Sequence, residues 1–282
     1  MAFTADQIKG RLKNIAKQNN ADARILMRIY MIERFLERVS VSQYADNFII
    51  KGGILVTSMV GVSMRSTMDI DTTIRNINLS DEDVLRFVTE ILKIDVGDNV
   101  TFELKNISHI MDNMEYPGIR IEIDAMMGKM VTPIKIDIST GDIITPKAIE
   151  YSYKLMLEDR NIQLWSYNLE TVLSEKLQTI LYRGILNTRM RDFYDIHVLR
   201  LCCSDRINTE ILKQAFTATC QKRESFSLIS EGEKILQNIA AEEKLINLWH
   251  SYQKKFSYAK SITFSQVVED AQVLYQIISE RG

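Results

Sequence analysis

Two hydrophobic periods divide the chain, and that division restricts the folds open to it more than any other feature. Between residues 100 and 139 apolar side chains alternate, cleanly in IRIEIDAMM and PIKIDIST, with Gly118, Gly128 and Pro133 as breaks. Alternation of that kind fits strands with one buried face. From about residue 169 the apolar residues recur at helical spacing instead, which predicts helices at 169–183, 190–203, 207–221, 230–240, 242–256 and 264–279. Ahead of the strand-like region, 5–18 and 22–39 read as amphipathic helices, the second built on Ile25, Ile29, Ile32, Phe35, Leu36 and Val39. FIIKGG reads as a short strand ending in two glycines, ILVTSMVG as a short helix and MDIDTTIR as a strand. Residues 80–93 open with Ser80 as N-cap and acidic first-turn residues, a helix start. The expected fold class is α+β: a mixed sheet with flanking helices over about 1–150, then a helical domain over 151–282.

Bulk properties exclude several classes of function. At 282 residues and 46% hydrophobic, the chain can bury a core without staples. Cys202, Cys203 and Cys220 are odd in number and form no C-x-x-C pair, while His109, His197 and His250 are scattered, so neither a disulfide framework nor a zinc site is expected. No secretory signal or membrane-length apolar run is present, which predicts a cytoplasmic protein with no membrane partner. A net charge of -2 gives no whole-molecule attraction to nucleic acid. Local basic groups remain: Arg183, Arg189 and Arg191; Lys222 and Arg223; Lys254 and Lys255. By themselves such clusters are usually solvated helix surface.

The chemistry-bearing residues begin in MDIDTTI, where Asp69 and Asp71 share one strand face. Two same-face carboxylates repel unless a cation lies between them, and a hard divalent ion held by oxygen ligands is the usual answer. An isolated D-x-D is more often a solvated strand face, so the neighbours decide. Gly52 and Gly53 stand between a strand and a helix, where backbone N–H groups can approach a phosphate. In PIKIDIST, Asp137 lies on the polar face with Lys135 and Ser139 and offers a third carboxylate; Glu122 and Asp124, on one face of IRIEIDAMM, are the alternatives. Three carboxylates can hold two magnesium ions about 4 Å apart, one activating an attacking hydroxyl and one neutralising a triphosphate.

In NLETVLSEKLQTILYRG, Lys176 falls within the apolar stripe of Leu169, Val172, Leu173, Leu177 and Ile180. It either snorkels out or meets an anion, for which the phosphates of a bound triphosphate are a candidate. In RMRDFYDIHVLRLCC, Asp192 shares a stripe with Ile196, Leu199 and Cys203, and Asp195 sits beside it. Taken alone, Asp192 could cap the helix or pair with Arg189 or Arg191.

The order of strand, Gly-Gly, short helix, D-x-D strand and a later strand with one Asp resembles the nucleotidyltransferase superfamily of the DNA polymerase beta type. More closely, KGGILVTSMVGVSMRSTMDIDTTI, IKIDISTGDIITP, LSEKLQTIL and RMRDFYDI are similar, in that order, to signature segments of the AbiEii/AbiGii toxin family. The resemblance runs from about Lys51 to Ile196 and implies a nucleotidyltransferase-like N-terminal domain followed by a helical bundle. It also implies a bacterial toxin encoded with an antitoxin of winged-helix repressor type and linked to abortive phage infection. By resemblance, Asp69, Asp71 and Asp137 hold metal. Lys176 and Asp192 act with them, and Arg191 and Asp195 lie near the nucleotide. The implied reaction moves a nucleotide from a triphosphate, GTP or a pyrimidine triphosphate, to RNA, in particular a tRNA 3′ end. The chain departs from the superfamily pattern in having Gly52-Gly53 where Gly-Ser is common, so Ser66, with Ser63 and Thr67 as alternatives, is the candidate phosphate-binding hydroxyl. Two competing functions remain: a catalytically silent nucleotide- or protein-binding module, and transfer to a small molecule such as an aminoglycoside.

Overall fold

A computed structural model of the chain describes residues 3–19, 21–77, 80–110 and 118–280. It divides into two compact units, one comprising Met1–Asp142 with Ile149–Ser166 and the other Ile143–Ala148 with Tyr167–Gly282. The expected boundary near 150 falls at the start of the segment that returns to the first unit.

The first unit contains, in chain order, α1 (Ala5–Gln18), α2 (Ala23–Ser40), β1 (Phe48–Lys51), α3 (Gly52–Val60), β2 (Asp69–Ile74), α4 (Asp81–Leu92), β3 (Thr101–Ile110), β4 (Gly118–Met127), β5 (Met130–Thr140), β6 (Ile149–Lys154) and β7 (Asn161–Ser166). The strands form one mixed sheet in the order β3-β4-β5-β2-β1-β7-β6. Parallel pairs join β2 to β5 and β1 to β7, and the remaining neighbours are antiparallel. Strands β6 and β7 were not among the sequence expectations. Both are six residues long; β6 is mostly exposed, whereas β7 lies between β1 and β6 with Ile162 and Leu164 buried. An exposed edge strand such as β6 lacks the alternating apolar face that marks β4 and β5, and in β7 the alternation is carried by Ile162 and Leu164 alone.

One sheet face is a layer of isoleucines. Ile119 pairs with Ile138, Ile121 with Ile136 and Ile123 with Ile134, all essentially inaccessible. Helix α2 packs against this unit's sheet through β5 and β7 and contacts α4. The α4 N-cap is Ser80, whose hydroxyl accepts from Asp83 N, as its sequence indicated.

Helix α2 also buries charge, which its apolar stripe does not reveal. Arg38 makes a bidentate pair with Asp98 at 2.7 and 2.9 Å and donates to the Val100 carbonyl. Arg34 pairs with Glu37 at 2.9 Å and Glu158 at 2.8 Å. Glu33 accepts Met156 N–H on both carboxylate oxygens, at 3.0 and 3.1 Å, and so ties α2 to the chain between β6 and β7. Burial pushes the Glu33 carboxyl up to about 8 against the lowering influence of Arg34 and the Met156 N–H, with Glu158 and Glu37 adding to the rise. Below pH 4.5 both folded and unfolded states are protonated. Between that pH and about 8 the unfolded chain loses the proton while the folded one keeps it. Stability therefore falls across this window, by on the order of 4–5 kcal/mol for one proton. Chemical denaturation at pH 5 and pH 8 should show this loss in the wild type and not in Glu33→Gln, which is neutral throughout. Equal slopes in the two proteins would contradict it.

The second unit contains α5 (Leu169–Arg183), α6 (Met190–Cys203), α7 (Thr209–Lys222), α8 (Leu228–Ala241), α9 (Glu243–Lys255) and α10 (Phe264–Ser279). All six helices lie within two residues of their expected positions. Helix α5 packs on α6, α7 and α8, and α10 closes the bundle against α6, α7 and α8. Buried Trp249, Phe193, Phe264 and Leu274 fill the space between them. Among the described residues no helix is long and apolar enough to cross a membrane.

Candidate active site

The site in the first unit is built on the polar face of the sheet, opposite the isoleucines. Asp69 and Asp71 are two residues apart on β2 and therefore point the same way. Strand β5 runs parallel to β2 with Asp71 directly beside Asp137. On the other side, the antiparallel β1 places Lys51 beside Asp71. Two of the three expected aspartates are thus cross-strand neighbours, and the third lies one pleat away. Glu122 and Asp124 sit on β4, which is separated from β2 by β5. They are occupied there by Lys135 at 3.2 Å and Lys105 at 3.9 Å.

The two glycines are required by close approach. Gly52 has φ +60°, and a Cβ there would stand 2.1 Å from Asp71 Oδ2. Gly53 is the second residue of α3, and its N–H donates to Asp71 Oδ2 at 3.3 Å. A Cβ on Gly53 would meet Thr67 Oγ1 at 2.6 Å and Arg65 Nη2 at 3.2 Å. Lys51, the N-cap residue of α3, makes no side-chain cap bond, so the first-turn backbone donors other than the Gly53 N–H, together with the buried Arg65 guanidinium, suit an anion. Ser66 lies in the segment between α3 and β2, where its carbonyl accepts from Arg65 Nη1. Thr67 Oγ1 donates to the Asp69 carbonyl at 3.4 Å.

Asp71 is half-buried, and that burial raises its carboxyl against the lowering effects of Lys51 and the Gly53 N–H, while Asp137 and Asp69 add to the rise. A carboxylate strained in this way gains from an added cation. Asp69 and Asp71 are hard oxygen donors on one face and fit a divalent ion. Asp137, however, is held by Arg120 through two hydrogen bonds, Nε to Oδ1 at 2.8 Å and Nη2 to Oδ2 at 2.7 Å. In keeping with this, no group of three or more His, Cys, Asp or Glu side chains among the described residues is arranged to hold a metal. Sequence reasoning passed over Arg120, and also Lys51, whose ammonium donates to Ser139 Oγ at 2.8 Å and Asp142 Oδ2 at 2.5 Å.

In the second unit, Lys176 of α5 donates to Asp192 Oδ1 at 3.2 Å and Asp195 Oδ2 at 2.6 Å, both on α6. The anionic partner that its apolar stripe demanded is therefore supplied by the protein. Arg189 Nε adds a second cation to Asp192 at 2.7 Å. All three of Lys176, Asp192 and Asp195 are largely shielded from solvent. The basic clusters behave differently from one another. Arg223 is engaged by Gln178, Thr179 and Glu175. Arg191 instead lies 5.6 Å from the Phe256 ring centre, which Lys255 approaches at 5.5 Å and on which Tyr258 stacks at 5.4 Å.

The family model that matches this chain is AbiEii, described as "Nucleotidyl transferase AbiEii toxin, Type IV TA system", over residues 34–270. No curated protein matches the chain. Among solved structures, JHP933 from Helicobacter pylori aligns with a TM-score of 0.54 at 15% identity, covering 92% of this chain and 93% of that one. A second structure, that of a candidate nucleotidyltransferase from H. pylori, aligns at 0.52 and 16% identity over 92% of this chain and 96% of its own. At those identities the likeness establishes the fold, a nucleotidyltransferase-like arrangement of sheet and helices. The family match spans both the aspartate face of the sheet and the Lys176 cluster of the bundle. The chain therefore belongs to the AbiEii family of nucleotidyltransferase toxins of type IV toxin–antitoxin systems.

Proposed function

We propose that the protein transfers a nucleotide from a triphosphate to the 3′ end of an RNA, tRNA above all, in a magnesium-dependent reaction centred on Asp69 and Asp71. The observation that carries this reading is the packing of Asp71 against Gly52, in register with Asp137 and one pleat from Asp69. Magnesium, when bound, would neutralise phosphate charge and lower the pKa of the attacking hydroxyl. Asp69 and Asp71 would hold it, with Asp137 as the third carboxylate and a second ion where all three contribute. The backbone donors that open α3 and the guanidinium of Arg65 would receive the triphosphate, with Ser66 near them. Lys176, fixed by Asp192 and Asp195, is assigned to the nucleotide, as is Arg191.

RNA as acceptor draws support from the Arg191, Lys255, Phe256 and Tyr258 group, which combines cations with stacked rings. Single-stranded nucleic acid is commonly bound by that pairing of positive charge and aromatic faces. Donor choice between GTP and a pyrimidine triphosphate is part of the same reading, as is a winged-helix antitoxin, a role in defence against phage and a cytoplasmic site of action. The test is incubation of the protein with magnesium, each α-labelled triphosphate in turn, and total RNA. Label should appear on RNA, with one or two triphosphates preferred. Label that reaches only small hydroxylated acceptors would overturn RNA as substrate, and label that never leaves the mononucleotide would overturn transfer under these conditions.

A further inference from the structure

On the polar face of the sheet, one carboxylate of β4 and one of β5 each stand opposite a cation of the neighbouring strand. Arg120 faces Asp137 and Lys135 faces Glu122. These two contacts differ in geometry. Lys135 reaches Glu122 through a single 3.2 Å contact. Arg120 grips both oxygens of Asp137 at 2.8 and 2.7 Å, which leaves that carboxylate with both oxygens already committed. Asp137 is the group that stands directly beside Asp71. Arg120 also feels Asp69, whose charge is among those that hold the guanidinium in its charged form.

The pair is open to solvent on the arginine side, with the Arg120 side chain 39% exposed and that of Asp137 21% exposed. An ion pair so placed contributes little to folding. It can open without disturbing the isoleucine layer beneath. Bidentate grip and shallow placement together describe a contact that is specific and cheap to break.

We propose that Arg120 and a divalent cation compete for Asp137, so that Arg120 is a positioning residue that withholds the third carboxylate from the metal until an anionic group draws the guanidinium away. The inference rests on the reading of Asp69 and Asp71 as metal ligands. Its consequence is that metal binding without nucleotide is weak and uses two of the three aspartates. Binding becomes tight only when Asp137 is released, at which point Arg120 is itself free to meet phosphate charge.

The experiment is Mn2+ binding to the full chain, without nucleotide, by calorimetry or by the electron-spin signal of free Mn2+. Arg120→Gln should bind Mn2+ roughly tenfold more tightly than wild type, because the two-bond grip that competes for the carboxylate is gone. Arg120→Lys, which keeps the charge and loses the fork, should fall between. Asp137→Asn should change Mn2+ binding little in the wild-type background and should erase the gain made by Arg120→Gln. A structural role for Arg120 would lower the melting temperature without producing this pattern. If wild type binds Mn2+ through Asp69 and Asp71 and Arg120→Gln binds no tighter, the competition is disproved and the reading of the site stands. Should neither wild type nor Arg120→Gln bind Mn2+, both fail together.

Discussion

Asp71→Asn is expected to reduce nucleotide transfer on the order of a thousandfold, and at least a hundredfold, without unfolding the protein. The position explains both halves of that expectation. Asp71 lies between Lys51 and Asp137 across the strands and accepts the Gly53 N–H. Asparagine keeps an acceptor for that N–H but has no charge to offer a cation. The raised carboxyl shows that burial works against the ionised form in the folded state. A group with a raised folded value costs stability once pH exceeds its unfolded value. Removing the charge should therefore leave the melting temperature at neutral pH unchanged or higher. Transfer assayed beside thermal melting separates the two effects. A variant that melts early would indicate a scaffold residue, and one that retains full transfer would remove Asp71 from the chemistry.

Gly52→Ala is the second large effect. With φ +60° and a prospective Cβ 2.1 Å from Asp71 Oδ2, an alanine must either push the carboxylate aside or shift the start of α3. The backbone conformation alone disfavours a side chain by about 1–2 kcal/mol, and the overlap adds to it. Activity should drop at least a hundredfold, mainly in kcat, because the displaced group is the one assigned to the reaction and not an outlying contact. Gly53→Ala is the comparison. Its added carbon meets the Thr67 hydroxyl and the Arg65 guanidinium, and Gly53 has no positive φ. A milder loss, weighted toward KM, is expected there. Equal effects at the two positions would argue against a specific fit of Gly52 to Asp71.

Much of the architecture was legible because it is local. Helices α5 to α10 follow from periodicity, since each has an apolar stripe and most have a recognisable start, as in the Asn168 cap of α5 and the Thr263 capping box of α10. The alternation of β2, β4 and β5 likewise assigns each aspartate to its face. What sequence could not give is which strands are neighbours. Placement of Asp137 beside Asp71 depends on a parallel pairing between segments some sixty residues apart, and no local pattern encodes that.

Arg120 is an instructive omission. Strands β4 and β5 are joined at Gly128 and Lys129, and Gly128 has φ +59°. A two-residue turn fixes the hairpin register, which puts Arg120 opposite Asp137 by counting back along both strands. The glycine that makes the turn possible is the local signal for that register. The buried charges of α2 are a different case. Arg34 and Arg38 look like the polar face of an amphipathic helix, and besides the local Glu37 it is distant Asp98 and Glu158 that make their burial tolerable. Lys176 is legible in its apolar stripe as a cation in need of an anion, and Asp192 and Asp195 fill that need within the bundle.

The most direct measurement of the central claim is sequencing of cellular RNA 3′ ends after induced expression of the wild-type chain and of Asp71→Ala. Nucleotides absent from the genome-encoded ends should accumulate on a defined set of RNAs, tRNAs foremost, in the wild type alone. Identical 3′ ends in the two strains, with toxicity intact in both, would contradict it.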